Sequence, residues 1–598
     1  MVQLEFLDIA LIVSFFALIM FVGLYVSKSS GESSSAYFLS GRNMPWWLLG
    51  VSMVATTFST DTPNLVTDIV RTNGVSGNWV WWAFLLTGLL TVFIYARLWR
   101  KSNVNTDIEF YELRYGGKPA RFLRIFRAVY LGLFFNVLAM AAVTLAAIKI
   151  GSIILGLAPW QTVLIGGAVT VIFSTFGGFK GVVYTDFILF FVAMGGSIAA
   201  AWYLIDLPQV GGLSNLIQHD NVADKLSFFP DFSNTELLVT LLIIPLAVQW
   251  WSAWYPGAEP GGGGYIAQRM LAAKNEKHAI GATFFFNIMH YALRPWPWIL
   301  VALASLVVFP DLQSIQNAFP GITPDKLGED LAYSAMLTFL PSGLLGLLLA
   351  SLAAAYMSTI STHLNWGASY LVNDCYKQYF NKTASEKQLV RVGRTATVVL
   401  LILSALLALI LQNALQLFDI ILMFGAGTGV IFILRWFWWR INAWSEISAM
   451  FASGVISLLI NLTPVGLVLF GDNDGLFESY LKYPFVVLMT TIIWLLTMLL
   501  TRPESESVLK SFYTTTQPGG PGWKQRHKAD VVNETPWSVP FGIVAMLLGS
   551  VGIYSAMFAV GSFLYGNLVT GGVLTAICVV VAALLFKLWP KISRTIAP

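Results

Sequence analysis

Residues Gly50 to Leu65 read GVSMVATTFSTDTPNL. The chain around them is 57% hydrophobic and only 11% charged over 598 residues, the composition of a polytopic membrane protein. In lipid, backbone N–H and C=O groups must be paired within the protein, so irregular backbone survives only where it is buried or lines a cavity. From Ser52 to Thr62 the stretch gives up Leu and Ile for small, polar and β-branched residues, and Pro63 then removes a helical donor. This pattern predicts a helix broken near the middle of the membrane. A simple proline kink is the bland alternative.

Working outward, a span needs roughly 20 apolar residues, and fifteen segments between 6–27 and 567–589 meet that need, a fold of about 13–15 spans. An outside N-terminus places most of the 35 Lys and Arg in loops facing the cytoplasm, including Arg97, Arg100, Lys101, Arg121, Arg124 and Arg127 in one loop. The loops on the other side lean acidic, with Asp220, Asp224, Asp231, Asp325, Glu329 and Asp330. This segregation predicts a cytoplasmic C-terminus and an integral plasma (inner) membrane location. The net charge of +4 restates the same bias and suggests no nucleic-acid partner. With only Cys375 and Cys578, a disulfide framework is not expected. No HExxH, GxSxG or Walker sequence occurs, so an intramembrane enzyme has no support. The stretch from Thr501 to Trp537 reads as a Pro/Gly-rich cytoplasmic loop.

A second break follows at WYPGAEPGGGGY, Trp254 to Tyr265, in the seventh segment. A plain loop between two helices is the alternative reading. The two interruptions lie five spans apart, hence in helices of opposite direction, and matching interruptions in two halves point to a transporter's binding site. The chain divides accordingly into an extra helix at 1–36, one five-helix unit at 37–206, a second at 207–440, and accessory helices at 441–598 with the 501–537 loop. In the ninth segment AAAYMSTIST, Ala353 to Thr362, puts Ala355, Ser358, Thr359 and Thr362 on one helical stripe with Ser361 beside it. Such hydroxyls serve close helix packing, or they supply oxygens to a hard cation such as sodium.

Four ordered stretches, SGRNMPWWLLGVSMVATTFSTDT (40–62), FGGFKGVVYTD (176–186), YIAQRMLAAK (265–274) and LLASLAAAYMSTISTHLNWGASYLVNDCYK (348–377), resemble the sodium:solute symporter family, which includes sodium–sugar, sodium–proline and sialic-acid carriers. The resemblance covers roughly residues 37–440. It implies an all-α, leucine-transporter-type 5+5 inverted repeat with extra flanking helices, and alternating access driven by sodium. It also implies a sodium site made of the Ala55, Phe58 and Ala355 carbonyls with the Ser358 and Thr359 hydroxyls. A possible second sodium would use Asp186, Ser358, Ser361 and Thr362; an interfacial helix cap is the alternative role for Asp186. Sodium is the coupling ion, with no cofactor and no obligate protein partner expected beyond the lipid bilayer.

The solute side carries weaker signals. By its spacing from YIAQR, Tyr255 is similar to the family's aromatic gate, although the AEPGGGG run is longer than the family pattern. The other solute candidates are Asp61, Thr62, Asn64, Trp82, Gln249, Ser252, His290 and Arg294. An arginine inside a span costs about 3 kcal/mol on insertion scales, so Arg294 needs an anionic partner. A protein carboxylate, Asp61 or Asp68, is favoured over a carboxylated solute. Trp79 to Phe84, WVWWAF, would stack on a sugar ring or form an interfacial belt. The expected function is sodium-coupled import of a small polar solute, a sugar or sugar derivative in first place and an organic acid or amino acid in second. An uncoupled channel or a membrane sensor on the same scaffold is the alternative of a different class.

Overall fold

The computed structural model describes residues 4–26, 33–252, 259–322, 327–411, 423, 425–471, 476–524 and 537–596. Among them eleven helices are long and apolar enough to cross a membrane. The elements run α1 (Phe6–Val26), α2 (Trp46–Thr56), α3 (Asp61–Asn73), α4 (Val75–Ser102), α5 (Gly117–Leu155), α6 (159–177), α7 (Gly178–Ile205), α8 (Thr235–Trp251) and α9 (Gly264–Ala272). They continue as α10 (Glu276–Val308), α11 (Leu344–Phe380), α12 (Glu386–Ile410), α13 (Gly429–Leu434), α14 (Ala443–Leu462), α15 (Ser479–Leu500), α16 (Glu506–Thr516), α17 (Val539–Leu564) and α18 (Leu568–Ile596). The second predicted segment is thus two helices, α2 and α3, and the seventh has helical parts α8 and α9 on either side of residues 253–258. Gly178, at φ 56° and ψ −171°, turns the chain between α6 and α7 in a region that side chains with a Cβ rarely adopt.

Helix α11 is the axis of the bundle, with nearly every residue from Leu345 to Tyr370 buried. Its neighbours approach closely because small residues line the crossings. A Cβ on Gly367 would lie 2.2 Å from Asn136 Nδ2 and 2.7 Å from the Gly132 carbonyl of α5. Asn136 Nδ2 itself donates to the His363 carbonyl at 2.8 Å.

The accessory helices hold this core from outside. Trp79 and Trp82 of α4 are buried rather than interfacial, with ring centroids 5.2 Å from Tyr554 (Trp79) and 5.9 Å from Phe558 (Trp82) of α17. Tyr554 Oη donates to the Trp82 carbonyl at 2.8 Å. The predicted loop at 501–537 is not a plain loop in its described part. Leu509 and Phe512 of α16 and Trp523 are buried, and the Trp523 indole donates to the Trp436 carbonyl at 3.0 Å. The spacing of those apolar residues on one helical face explains the difference.

The N-terminal helix is anchored by one carboxylate. Asp8, 1% exposed, accepts from the Gly343 and Gly346 amides at 2.8 Å each, and from Glu5 N at 3.1 Å. It thereby caps the start of α11, where the first N–H groups have no helical partner. Asp8→Ala orphans these donors at about 1–3 kcal/mol apiece. The expected outcome is a clearly lowered melting temperature of the detergent-purified protein, with a smaller drop for Asp8→Asn. An unchanged melting temperature in Asp8→Ala would show that α1 is held by apolar packing alone.

Candidate functional site

The first break is as short as the sequence allows. Helix α2 ends at Thr56 and α3 begins at Asp61. The intervening turn is closed by the Phe58 amide on the Ala55 carbonyl at 3.1 Å and the Thr62 amide on the Ser59 carbonyl at 3.3 Å. Helix α11 meets this turn directly. Thr359 Oγ1 donates to the Thr56 carbonyl at 3.0 Å and stands 3.5 Å from the Phe58 carbonyl. From α5, the Val143 carbonyl accepts from Thr60 Oγ1 at 2.9 Å. Two of the expected sodium ligands, Phe58 and Thr359, are therefore side by side. Ala55, Ala355 and Ser358 are all buried in the same layer of the bundle.

Next to that turn lies a charge pair with no exposed surface. Asp186 of α7 accepts from Ser52 Oγ at 2.5 Å and from Ser358 Oγ at 2.6 Å. The guanidinium of Arg269, from α9, lies 3.5 Å from the same carboxylate, and both side chains are fully buried. Arg269 also donates to Ser52 Oγ at 3.0 Å, Thr56 Oγ1 at 2.8 Å and Thr362 Oγ1 at 3.0 Å. Ser361 accepts from Ser174 Oγ at 2.9 Å. Asp186 is thus no interfacial cap, and the residues expected to hold a second ion are engaged with one another, with Ser174 and with Arg269. Arg269, Ser52 and Thr56 were missed in the sequence. The signal was available for Arg269, since an arginine at the end of a span raises the same cost that singled out Arg294.

A cavity of about 580 Å³ begins at this layer, with Thr56 and Thr359 in its floor, and extends to Tyr480 and Lys482 at the predicted outer end of α15. Of the solute candidates, Asp61, Thr62, Gln249, His290 and Arg294 line it. Trp82 does not: successive helical residues are turned by about 100°, which presents Trp81 to the cavity and leaves Trp82 against α17. Ser252 is buried elsewhere, bonded to the Gln249 carbonyl at 2.9 Å and to the Tyr483 hydroxyl. Asn64 is buried without lining the cavity. Tyr255 lies outside the described residues, and the aromatic residue that lines the cavity from this motif is Tyr265.

The PGGGG run, Pro260 to Gly264, is buried at the start of α9. Gly261 and Gly262 adopt φ of 85° and 91°, the left-handed region that glycine enters without strain. This folding lets the Gly261 carbonyl accept from the Trp99 indole at 2.7 Å and the Gly264 amide donate to Asp107 at 2.7 Å. Glu259, 6% exposed, pairs with Arg127 of α5 and lies 3.9 Å from Arg435. Arg435 in turn reaches Glu446 of α14 at 3.4 Å. A small cavity of about 40 Å³, bordered by Phe84, Glu259, Gly262 and Asn287, shares Phe84 with the larger cavity. Among the described residues no cluster of three His, Cys, Asp or Glu side chains is placed to hold a metal ion.

The chain as a whole is similar to known proteins. A sodium/glucose cotransporter of Vibrio parahaemolyticus is 27% identical over 481 residues, covering 78% of this chain and 87% of its own. The human sodium/myo-inositol cotransporter 2 is 26% identical over 494 residues, covering 76% of this chain and 70% of its own. A solved structure of a Na⁺-coupled sialic acid symporter, in a substrate-bound outward-open state, superposes with a TM-score of 0.65 at 20% identity over 84% of this chain and 100% of that one. That likeness shows a shared fold, the inverted-repeat architecture expected from the motifs. The model of the sodium:solute symporter family matches residues 37–453, and the chain belongs to that family.

Proposed function

We propose that this sodium-coupled symporter imports a sugar or sugar derivative with one sodium ion, from a cavity open to the outside. The observation that carries the reading is that the Thr359 hydroxyl, the Phe58 carbonyl and the floor of the cavity meet at one helix break. An ion held by the carbonyls of Ala55, Phe58 and Ala355 and the hydroxyls of Ser358 and Thr359 would fix the end of α2 against α11. It would also fix Thr56 and Thr57, which line the cavity. Sodium binding and solute binding would then stabilise the same local arrangement, which is the requirement for coupling. The sugar assignment draws on the sodium/glucose and sodium/myo-inositol cotransporters to which the chain is similar.

Inward movement of one charge down ~100 mV is worth about 2.3 kcal/mol, and a tenfold sodium gradient adds about 1.4 kcal/mol. The division at 37–206 and 207–440 gives two units that would rock about the breaks, with the Glu259 plug closing the cytoplasmic side while the cavity faces outward. The second ion set is weaker. Asp186 already receives two hydroxyls and lies beside Arg269, so a cation there would compete with a guanidinium for one carboxylate.

In reconstituted liposomes, uptake should rise with sodium as a first-order saturation curve. Thr359→Ala should raise the half-saturating sodium concentration about tenfold or more, the loss of one oxygen from a charge-assisted set, and Thr359→Ser should restore it. A sigmoidal curve in the wild type would require the second ion, and an unchanged sodium dependence in Thr359→Ala would remove this site from coupling.

The plug generates a separate expectation. Glu259→Gln leaves Arg127 and Arg435 facing a neutral amide, so the plug should open more often. Amide hydrogen exchange over 259–272, read by mass spectrometry in sodium, should quicken several-fold, and sodium-driven uptake should fall. Exchange that stays at the wild-type rate would show that the glycine turn, not the ion pair, keeps this side closed.

A further inference from the structure

Arg294 of α10 stands in the wall of the solute cavity and is only 3% exposed. Its partners are all neutral. One terminal nitrogen donates to the Thr57 carbonyl at 2.7 Å and to Thr57 Oγ1 at 2.8 Å. The other reaches His290 Nε2 at 3.4 Å. His290 Nδ1 lies 3.0 Å from Thr57 Oγ1. Since a guanidinium only donates, Nε2 accepts and the ring proton sits on Nδ1, which makes His290 a neutral imidazole in this arrangement. Arg294 Nε has no hydrogen-bond partner among the described residues.

Of the carboxylates favoured from the sequence, Asp61 acts on Arg294 through its charge but stands beyond ion-pair contact. None of the described residues forms an ion pair with Arg294. Asp61 lines the same cavity but takes the Ser59 hydroxyl, and Asp68 faces Thr72 Oγ1 at 3.4 Å. Among the described residues the cavity wall therefore carries the cations Arg294 and Lys482 against one anion, Asp61, before the coupling sodium adds its own charge. A buried guanidinium with a free Nε edge is the fork geometry that a carboxylate fits with two parallel hydrogen bonds. The space, about 580 Å³, is far larger than a bare ion needs. Trp81, Gln249 and Thr62 supply an apolar face and hydroxyl partners on the same wall.

We infer that the solute is a carboxylated sugar, a monosaccharide of the uronic- or aldonic-acid type, whose carboxylate is read by Arg294. This rests on the assignment of the cavity as the solute site of a sodium symporter. It also gives Arg294 a part in coupling. The same guanidinium holds the Thr57 carbonyl, one residue before the Phe58 carbonyl of the sodium set. A monoanion carried with one sodium moves no net charge, so its accumulation depends on the sodium gradient and not on the membrane potential.

The test uses the purified full-length protein in sodium and in choline buffers. Binding of D-glucuronate and D-galacturonate is compared with D-glucose, D-galactose and zwitterionic amino acids by calorimetry, and a sodium-dependent thermal shift is recorded without solute. The expected result is sodium-dependent binding of the acids, with neutral sugars weaker by about 10- to 100-fold. Arg294→Gln should lose a similar factor for the acids, and Arg294→Lys, which keeps the charge but not the fork, should lose less. Neutral sugars binding as tightly as the acids, amino acids binding in their place, no acid binding at all, or acid affinity unchanged in Arg294→Gln would each overturn the inference. If Arg294→Gln does not fold, the comparison of acids with neutral sugars on the wild type decides it. The thermal shift separates the two levels: with it present, failure of acid binding removes only the carboxylate, whereas its absence in the wild type removes the symporter reading of the site.

Discussion

The fully buried pair of Asp186 and Arg269 is the interaction around which the site is arranged. A carboxylate and a guanidinium without exposed surface hold together only if their remaining donors and acceptors are satisfied. Here the hydroxyls of Ser52, Thr56, Ser358 and Thr362 do so. Those four side chains belong to α2 and α11, while the charges come from α7 and α9. Satisfying one ion pair thus fixes four helices at one depth, and that depth is where α2 ends. The break in the backbone and the buried charge depend on each other.

Around that layer the chain uses packing rather than polarity. Gly367 permits α5 and α11 to touch, and Asn136 bridges them through the His363 carbonyl. Asp8 ties α1 to the first turn of α11. Helix α17 covers the outer face of α4 and α10: a Cβ on Gly561 would lie 2.0 Å from the Trp296 ring, and one on Gly549 3.2 Å from Leu89. In lipid such close fits are the main source of helix association, because the tails are as apolar as the helix surfaces. The accessory helices are therefore structural partners of the moving core, and they bury the tryptophans that the sequence offered as sugar contacts or as a belt.

Much of this was legible in the sequence because the apolar background makes every polar residue conspicuous. The break at 57–60, the stripe through Ser358 and Thr359, and the cavity residues Asp61, His290 and Arg294 all stood out against leucine and isoleucine. What was not legible depends on helical phase and on depth. Whether Trp81 or Trp82 meets the cavity is a rotation of about 100°, decided by where α17 packs, some 470 residues later in the chain. Arg269 is only one letter of the YIAQR motif in the sequence, yet the glycine turn before α9 brings it to the buried layer. The amphipathic helix at Glu506–Thr516 was hidden by the proline and glycine run that follows it. Asp61, a favoured partner for Arg294, shares its cavity and its field without touching it, because composition counts the carboxylates but does not say how near they come.

In the proposed function the cytoplasmic closure and the ion site rest on different physics, and the difference would suit alternating access. At the plug, Glu259, Arg127, Arg435 and Glu446 form a chain of alternating charges. Pulled apart inside a dry protein, such charges would be expensive, but a gate opens to water, which solvates each of them separately. Separation then exchanges ion pairs for hydration, two states of comparable free energy. A closure made only of apolar side chains would lose its full burial energy on opening and would stay shut. At the break, by contrast, the proposed sodium ligands are neutral carbonyls and hydroxyls, and the one protein cation beside them, Arg269, is held by Asp186. In the proposed function, a latch that water can release on one side, and a set of oxygens that an ion completes on the other, would let sodium bias which side is open.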